Sequence, residues 1–397
     1  MDFLREAAAI EQEIIKDRRT IHERPELAYK EEATAKLVAD RLESLGLKVT
    51  RGVGGTGVLG VLDGSQNGKV VALRADMDAL PLEEMVDVDF RSKTKGVMHA
   101  CGHDTHVAML LGAAKLLAGH KDELHGKVKF VFQPAEEHGG RGGAKPMIEE
   151  GVMKNPKVDY VFGLHITCEP HKSESNSRIF SLRSGPLMAA PDTFVIRIKG
   201  KGGHGAYPHE TIDPVYVAAQ VMIALQGVSG RTIDPVQPFV VTIGSVHAGT
   251  KENIIPDEAV LQGTIRTLDE KTRKIAKANV LKVSQGVAKA FGAKASVEFE
   301  KDAYPVTVND TKVTERAMKI LRKIPGSKTR IAEPQLGGED FSRFLHEAPG
   351  TFYFLGTKNP AKGCVYPNHS SRFKVDEDVL KYGAASLAML AAEFTSS

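Results

Sequence analysis

The nine residues Met98-His99-Ala100-Cys101-Gly102-His103-Asp104-Thr105-His106 constrain this chain most. They gather one thiol, three imidazoles and a carboxylate just ahead of an apolar run, Val107 to Ala113. Cys101 and His103 are alternate residues, so a loop or strand end turns both the same way, and Gly102 lets the backbone fold tightly between them. The pattern predicts a metal site at a helix N-terminus. Three later segments supply more ligand-type residues just after apolar runs: Gln133-Pro134-Ala135-Glu136-Glu137-His138, Gly163-Leu164-His165 and Tyr366-Pro367-Asn368-His369-Ser370. A lone Cys-x-His is weak evidence, because a buried cysteine beside surface histidines gives the same string. The accompanying segments change that reading.

The chain is 397 residues long, with 42% hydrophobic residues and a formal net charge of +3. That length supports two or three domains with a sizeable core. Acidic and basic residues are interleaved, which argues against a nucleic-acid partner or an anionic membrane surface. There is no apolar run long enough for a membrane span. Cys101, Cys168 and Cys364 are odd in number and widely spaced, so a reducing cytoplasmic location is expected rather than a disulfide framework.

Apolar periodicity predicts helices over about 3–20 and 31–46, then short strands near 48–53, 57–63 and 69–75. The runs 128–132 and 160–164 are apolar on both faces and read as central strands of a helix-covered sheet, whose carboxyl ends are where sites form. From Phe194 the order changes to strand 194–198, helix 213–228, strands 238–246 and 258–267, helix 271–291 and strand 295–299. That β-α-β-β-α-β order is the ferredoxin-like unit. The expected fold class is therefore α/β, with a main domain over 1–186 and 304–397 interrupted by a compact inserted α+β domain over 187–303. The Gly-rich stretch from Gly139 to Gly143 lacks the Lys-Ser/Thr of a phosphate loop.

Cys101, His103, Glu137, His165 and His369 are five mixed N, O and S donors. They are too many for one closed structural zinc, which points to a catalytic ion with an open position or to two ions sharing a ligand. If the segment after Pro134 is extended, the adjacent Glu136 and Glu137 diverge, so that one ligates and the other moves protons. A carboxylate beside a metal-held water can take its proton, aim the hydroxide at a carbonyl carbon and return the proton to a leaving amine. Two histidines with a carboxylate also suit a mononuclear iron oxygenase, and a hydrolase-like binding protein without catalysis is a third reading.

These residues, with Ile21-His22-Glu23-Arg24-Pro25-Glu26-Leu27, Arg74-Ala75-Asp76-Met77-Asp78, Gly202-Gly203-His204-Gly205, Asn253-Ile254-Ile255-Pro256-Asp257 and Gly337-Gly338-Glu339-Asp340-Phe341, give an end-to-end resemblance to a known family. The chain resembles the amidohydrolase branch of the co-catalytic metallopeptidases, which holds aminoacylases, hippurate hydrolases, auxin-conjugate hydrolases and carboxypeptidases. The resemblance implies a di-zinc exopeptidase-like fold, in which 1–186 and 304–397 form the catalytic domain and 187–303 a lid or dimerisation domain, and hydrolysis of N-acyl-amino acids or short peptides bearing a free carboxylate. It also implies a homodimer or homotetramer and one or two zinc ions, with manganese, cobalt or nickel as substitutes. By the same resemblance Cys101, His103, Glu137, His165 and His369 are ligands and Glu136 is the general base. His204 stabilises the oxyanion, and Asn253 and Arg266 hold the substrate carboxylate. Two bland alternatives stand beside these: His204 as a turn residue, and Arg266 as an ordinary cross-strand ion partner. Many relatives carry His-x-Asp where this chain has Asp76-Met77-Asp78. Asp76 and Asp78 are therefore expected behind the ligands, orienting them.

Overall fold

The computed structural model describes residues 1–168 and 175–396, which form two compact units. The first unit comprises Met1–Leu187, Val308–Glu333 and Asp340–Ser397. Its centre is an eight-stranded mixed sheet in the order Lys48–Val53, Gly57–Asp63, His125–Gln133, Gln66–Asp76, Tyr160–Thr167, Gly350–Gly356, Ile179–Leu182, Lys328–Ile331. Four neighbours in the middle, from His125–Gln133 to Gly350–Gly356, run parallel. Parallel strands need covered faces, and every residue of Gly350–Gly356 is buried.

Helices His103–Gly119 and Leu380–Thr395 supply much of that cover, and their crossing is close. A Cβ on Gly383 would lie 1.9 Å from the Met109 sulfur, so only glycine permits this approach. The N-terminal helix expected over 3–20 is broken into Phe3–Ala9 and Glu11–His22, because Ile10 leaves helical geometry with ψ at 12°. Apolar periodicity continues through such a break, since Ile14 and Ile21 keep facing the core.

The second unit comprises Met188–Thr307 and Pro334–Glu339. Its antiparallel sheet has the order Phe239–Ala248, Glu258–Thr267, Ala190–Lys199, Lys294–Phe299, with helices Pro214–Arg231 and Glu270–Ala290 packed on it. This is the ferredoxin-like strand order. Side chains such as Phe194, Ile196, Val221, Leu261 and Val280 fill a core of its own. The segment Pro334–Glu339, which periodicity leaves in the main domain, joins this unit through backbone bonds. The Ala189 N–H donates to the carbonyls of Gln335 at 3.0 Å and Gly337 at 2.9 Å. Among the described residues no helix is long and apolar enough to cross a membrane.

Candidate metal centre

The ligand-type residues of the first unit converge at the carboxyl ends of the three adjacent parallel strands His125–Gln133, Gln66–Asp76 and Tyr160–Thr167. Gly102, at φ 93°, turns the chain so that Cys101 precedes and His103 begins the helix. Its missing side chain is also required sterically, since a Cβ there would lie 2.3 Å from Ile166 Cδ1. Cys101 Sγ lies 3.3 Å from His165 Nε2 and 3.3 Å from His369 Nε2. His369 Nε2 is in turn 3.1 Å from Glu137 Oε1. Donor atoms of Cys101, His103 and His165 lie within 4.8 Å of one another, as do those of Cys101, Glu137 and His369, and those of His103, Glu136 and Glu137. All five expected ligands therefore come together, with Glu136 beside them.

The ring nitrogens away from the centre are spoken for, which fixes where the others point. His165 Nδ1–H donates to the Ile166 carbonyl at 2.6 Å, leaving Nε2 toward Cys101. His103 Nδ1 faces the Asp78 carbonyl at 2.9 Å and its carboxylate at 3.2 Å, while buried Nε2 has no hydrogen-bond partner among the described residues. A fully buried ring nitrogen without a hydrogen bond, facing thiol and carboxylates, is what a bound cation would satisfy. His369 is held by its own N–H to the Ala100 carbonyl at 2.8 Å, in a left-handed backbone at φ 65°. Its neighbour Asn368 ties three segments, donating to the Cys101 carbonyl at 2.8 Å and accepting from the Cys168 N–H at 3.2 Å.

The electrostatics ask for a cation as well. Burial, then the carboxylates of Glu137, Glu136 and Asp76, push the Cys101 thiol well above its usual range. For His103 burial works toward the neutral ring, but Asp76, Asp78 and Glu137 overturn it and raise its pKa to about 10. Both shifts favour the protonated donor, and a divalent ion would replace those protons, as ligand thiols and imidazoles must deprotonate to bind.

Asp78 stands behind the His103 ring, whereas Asp76, expected there too, lies on the side of its open nitrogen. Asp78 reaches the His103 ring and accepts the Glu137 N–H at 2.8 Å, and Asp76 lies 3.6 Å from His103 Nε2. The structure adds His106, a member of the opening motif with no role assigned from sequence. Its Nδ1–H donates to Asp76 at 2.6 Å and its Nε2 accepts the Ile166 N–H at 2.9 Å, so both ring nitrogens are committed and the ring is a neutral brace. Burial lowers its pKa, in accord with that tautomer. Arg74 was also missed. It donates to Asp76 at 2.7 Å and to Asp340 at 2.9 Å, and only an alternating strand pattern with a wholly buried arginine could have signalled it.

One local expectation is corrected. Glu136 and Glu137 do not lie on an extended segment; Glu136–His138 is a short 3-10 turn entered through Ala135 at φ 55°. Consequently the two carboxylates do not diverge, and an oxygen of each lies within 4.8 Å of the other.

His204, Asn253 and Arg266 belong to the second unit. His204 sits in a two-stranded ribbon opposite Ile254, and the Gly205 N–H donates to the Asn253 carbonyl at 2.8 Å, so His204 and Asn253 are neighbours. The His204 side chain is exposed, with Nδ1 accepting the Ala206 N–H at 3.1 Å. Arg266 is on the sheet opposite Val240 and Pro191 and forms no ion pair among the described residues. The nearby Asp192 is committed to Arg273 at 2.6 Å and Lys277 at 2.9 Å, so Arg266 is not an ordinary cross-strand partner.

Comparison with known proteins agrees with this arrangement. Residues 72–393 match the model of peptidase family M20/M25/M40. The chain is 57% identical over 388 residues to thermostable carboxypeptidase 2 of Saccharolobus solfataricus, covering 98% of this chain and 96% of that one. It is 38% identical over 396 residues to the hippurate hydrolase of Campylobacter jejuni, covering 99% and 100%. Among solved structures, the YXEP protein of Bacillus subtilis, described as a dinuclear metal-binding peptidase, superposes with a TM-score of 0.83 at 35% identity, covering 98% and 99%.

Proposed function

Proceeding from the fact that the chain belongs to peptidase family M20/M25/M40 and is a hydrolase of C–N bonds, we propose that it cleaves the amide of N-acyl-amino acids or short peptides ending in a free carboxylate. The iron-oxygenase reading and the inactive binding-protein reading give way to that membership. The observation that carries the reading is the convergence of Cys101, His103, Glu137, His165 and His369 with Glu136 beside them. We assign the five as the residues that hold one or two divalent ions, zinc first. When bound, such an ion polarises a carbonyl and acidifies water.

What the chain's own groups do is move and hold charge. Glu136 takes the proton of the attacking water and returns it to the leaving nitrogen. His204 donates to the oxyanion, and Asn253 and Arg266 hold the substrate carboxylate, for which an unpaired guanidinium is the apt fork. The second unit then acts as the lid that closes on substrate. It also offers a dimer face: among the described residues Phe239–Ala248 pairs on one side only, and Val215, Tyr216 and Ile223 are exposed on helix Pro214–Arg231. Sedimentation as a monomer at micromolar concentration would remove the dimer from this reading. Cys101, Cys168 and Cys364 are buried and form no disulfide, which suits a reducing, cytoplasmic compartment.

The decisive test pairs Glu136→Gln with Glu137→Gln on a panel of acetyl-, benzoyl- and benzyloxycarbonyl-amino acids and dipeptides. Glu136→Gln is expected to keep its metal while turnover falls by several powers of ten, and Glu137→Gln to lose metal. Equal metal loss in both variants overturns the assignment of roles.

A further inference from the structure

The turn that carries Glu136 is pinned at both flanks by carboxylates from elsewhere in the first unit. On one side Asp78 accepts the Glu137 N–H at 2.8 Å. On the other, Glu31 Oε1 accepts the Ala135 N–H at 2.9 Å. Glu136 is the residue between these two held amides.

Glu31 is 104 positions from Ala135 in sequence and completely buried, with every oxygen committed. Oε1 also accepts the Tyr29 N–H at 3.0 Å, and Oε2 accepts the Thr56 hydroxyl. Ala135 itself sits at φ 55°, a left-handed conformation that a residue with a Cβ adopts only when its surroundings impose it. The Glu31 carboxylate holds the amide of that residue. Tyr29, also at positive φ, completes the brace from the same loop: its hydroxyl donates to the Gly142 carbonyl at 2.6 Å, and its ring meets His138 edge-on with centroids 5.4 Å apart. One short loop therefore holds both ends of the segment from Ala135 to Gly142. A buried carboxylate is costly unless its acceptors are used, and here they are used on the backbone of the turn that holds the proton-transfer group.

We propose that Glu31 is a positioning residue for proton transfer, acting through the Ala135 amide to fix where the Glu136 carboxylate points. This rests on the reading of Glu136 as the general base. Glutamine at position 31 keeps a carbonyl oxygen for the Tyr29 and Ala135 amides and turns its NH2 toward the Thr56 hydroxyl, which can accept. Alanine removes all three bonds.

The test is a mutant cycle on the full-length, metal-loaded enzyme. Glu31→Ala is expected to lower kcat about tenfold to a hundredfold with KM and metal content unchanged, and Glu31→Gln to lie within about threefold of wild type. In a Glu136→Gln background Glu31→Ala should have no further effect on turnover. Should Glu31→Ala not fold, Tyr29→Phe, which removes only the bond to Gly142, should still lower kcat several-fold and be silent in the Glu136→Gln background. If either variant reduces turnover equally with and without the Glu136 carboxylate, or if Glu31→Gln is as impaired as Glu31→Ala, the proposal is overturned while the general-base reading stands. If Glu136→Gln retains full turnover, the general-base reading falls and the proposal with it.

Discussion

Gly102→Ala tests the geometry between the first two donors. Two separate costs follow from the coordinates. The backbone is left-handed at φ 93°, where alanine is disfavoured by about 1–2 kcal/mol. The new Cβ would also lie 2.3 Å from Ile166 Cδ1 and 2.8 Å from its Cγ1, an overlap that Ile166 cannot relieve cheaply because it packs in the buried core. Overpacking of that kind costs about 1–3 kcal/mol, so the substitution should destabilise the first unit by about 2–5 kcal/mol in total. A second variant separates the terms. Ile166→Ala alone leaves a cavity, but in the double variant the Gly102 methyl group grows into it, so the steric term vanishes while the backbone term remains. The two changes should couple favourably by about 1–3 kcal/mol in a double-mutant cycle.

The assay is urea unfolding of chelator-treated protein followed by circular dichroism, with metal affinity measured separately on each variant. Since Ile166 directly follows His165 and Gly102 lies between Cys101 and His103, the single variant should also bind metal more weakly. Additivity within about 0.5 kcal/mol would refute the steric argument. A Gly102→Ala effect below about 0.5 kcal/mol would refute the backbone argument too.

Two further outcomes are expected. Lys129 is wholly buried on a central strand, with Nζ donating to the Val152 carbonyl at 2.7 Å, and burial lowers its pKa to about 8. A lysine whose folded pKa lies below its unfolded 10.5 costs stability while it is protonated, so stability should rise as pH climbs from about 8 to 10.5, by at most about 3 kcal/mol. Lys129→Met should flatten that rise in urea midpoints, and an identical pH dependence in both proteins would refute it. At the substrate end, Arg266→Ala, or amidation of the substrate carboxylate, should raise KM about tenfold or more, since a charge-assisted bond contributes about 1.5–3 kcal/mol. Amidated substrates cleaved as well as free acids would remove Arg266 from that role.

The candidate ligands were legible because metal chemistry restricts residue type: thiol, imidazole and carboxylate after apolar strand runs are few enough in any chain to be noticed. Strand order in the second unit was legible for a similar reason, since alternation and turn spacing along Phe194 to Phe299 leave one familiar arrangement. The supports behind the ligands obey no such restriction. His106 differs from His103 on the page only by three positions, yet one ring nitrogen of His103 is left open while both of His106 are closed by Asp76 and the Ile166 amide. That distinction is made by a strand 60 residues away in sequence. Glu31 is harder still, because an acidic residue before a helix reads as a solvated first turn, and nothing local says that it is buried against Ala135 and Thr56.

The correction at Glu136–Glu137 shows why this matters for chemistry. On an extended segment adjacent carboxylates point apart, and division of labour between ligand and base would follow from strand alternation alone. In the structure the turn brings both toward His103, so alternation cannot assign the roles. What separates them is the set of fixed amides: the Glu137 N–H is tied to Asp78, which also orients the His103 ring, whereas the Ala135 N–H is tied to Glu31, which touches no donor of the metal cluster. Glu137 therefore moves with the metal donors and Glu136 is steered from the other side. A change at Asp78 should accordingly disturb metal affinity, and a change at Glu31 should disturb turnover at constant metal content.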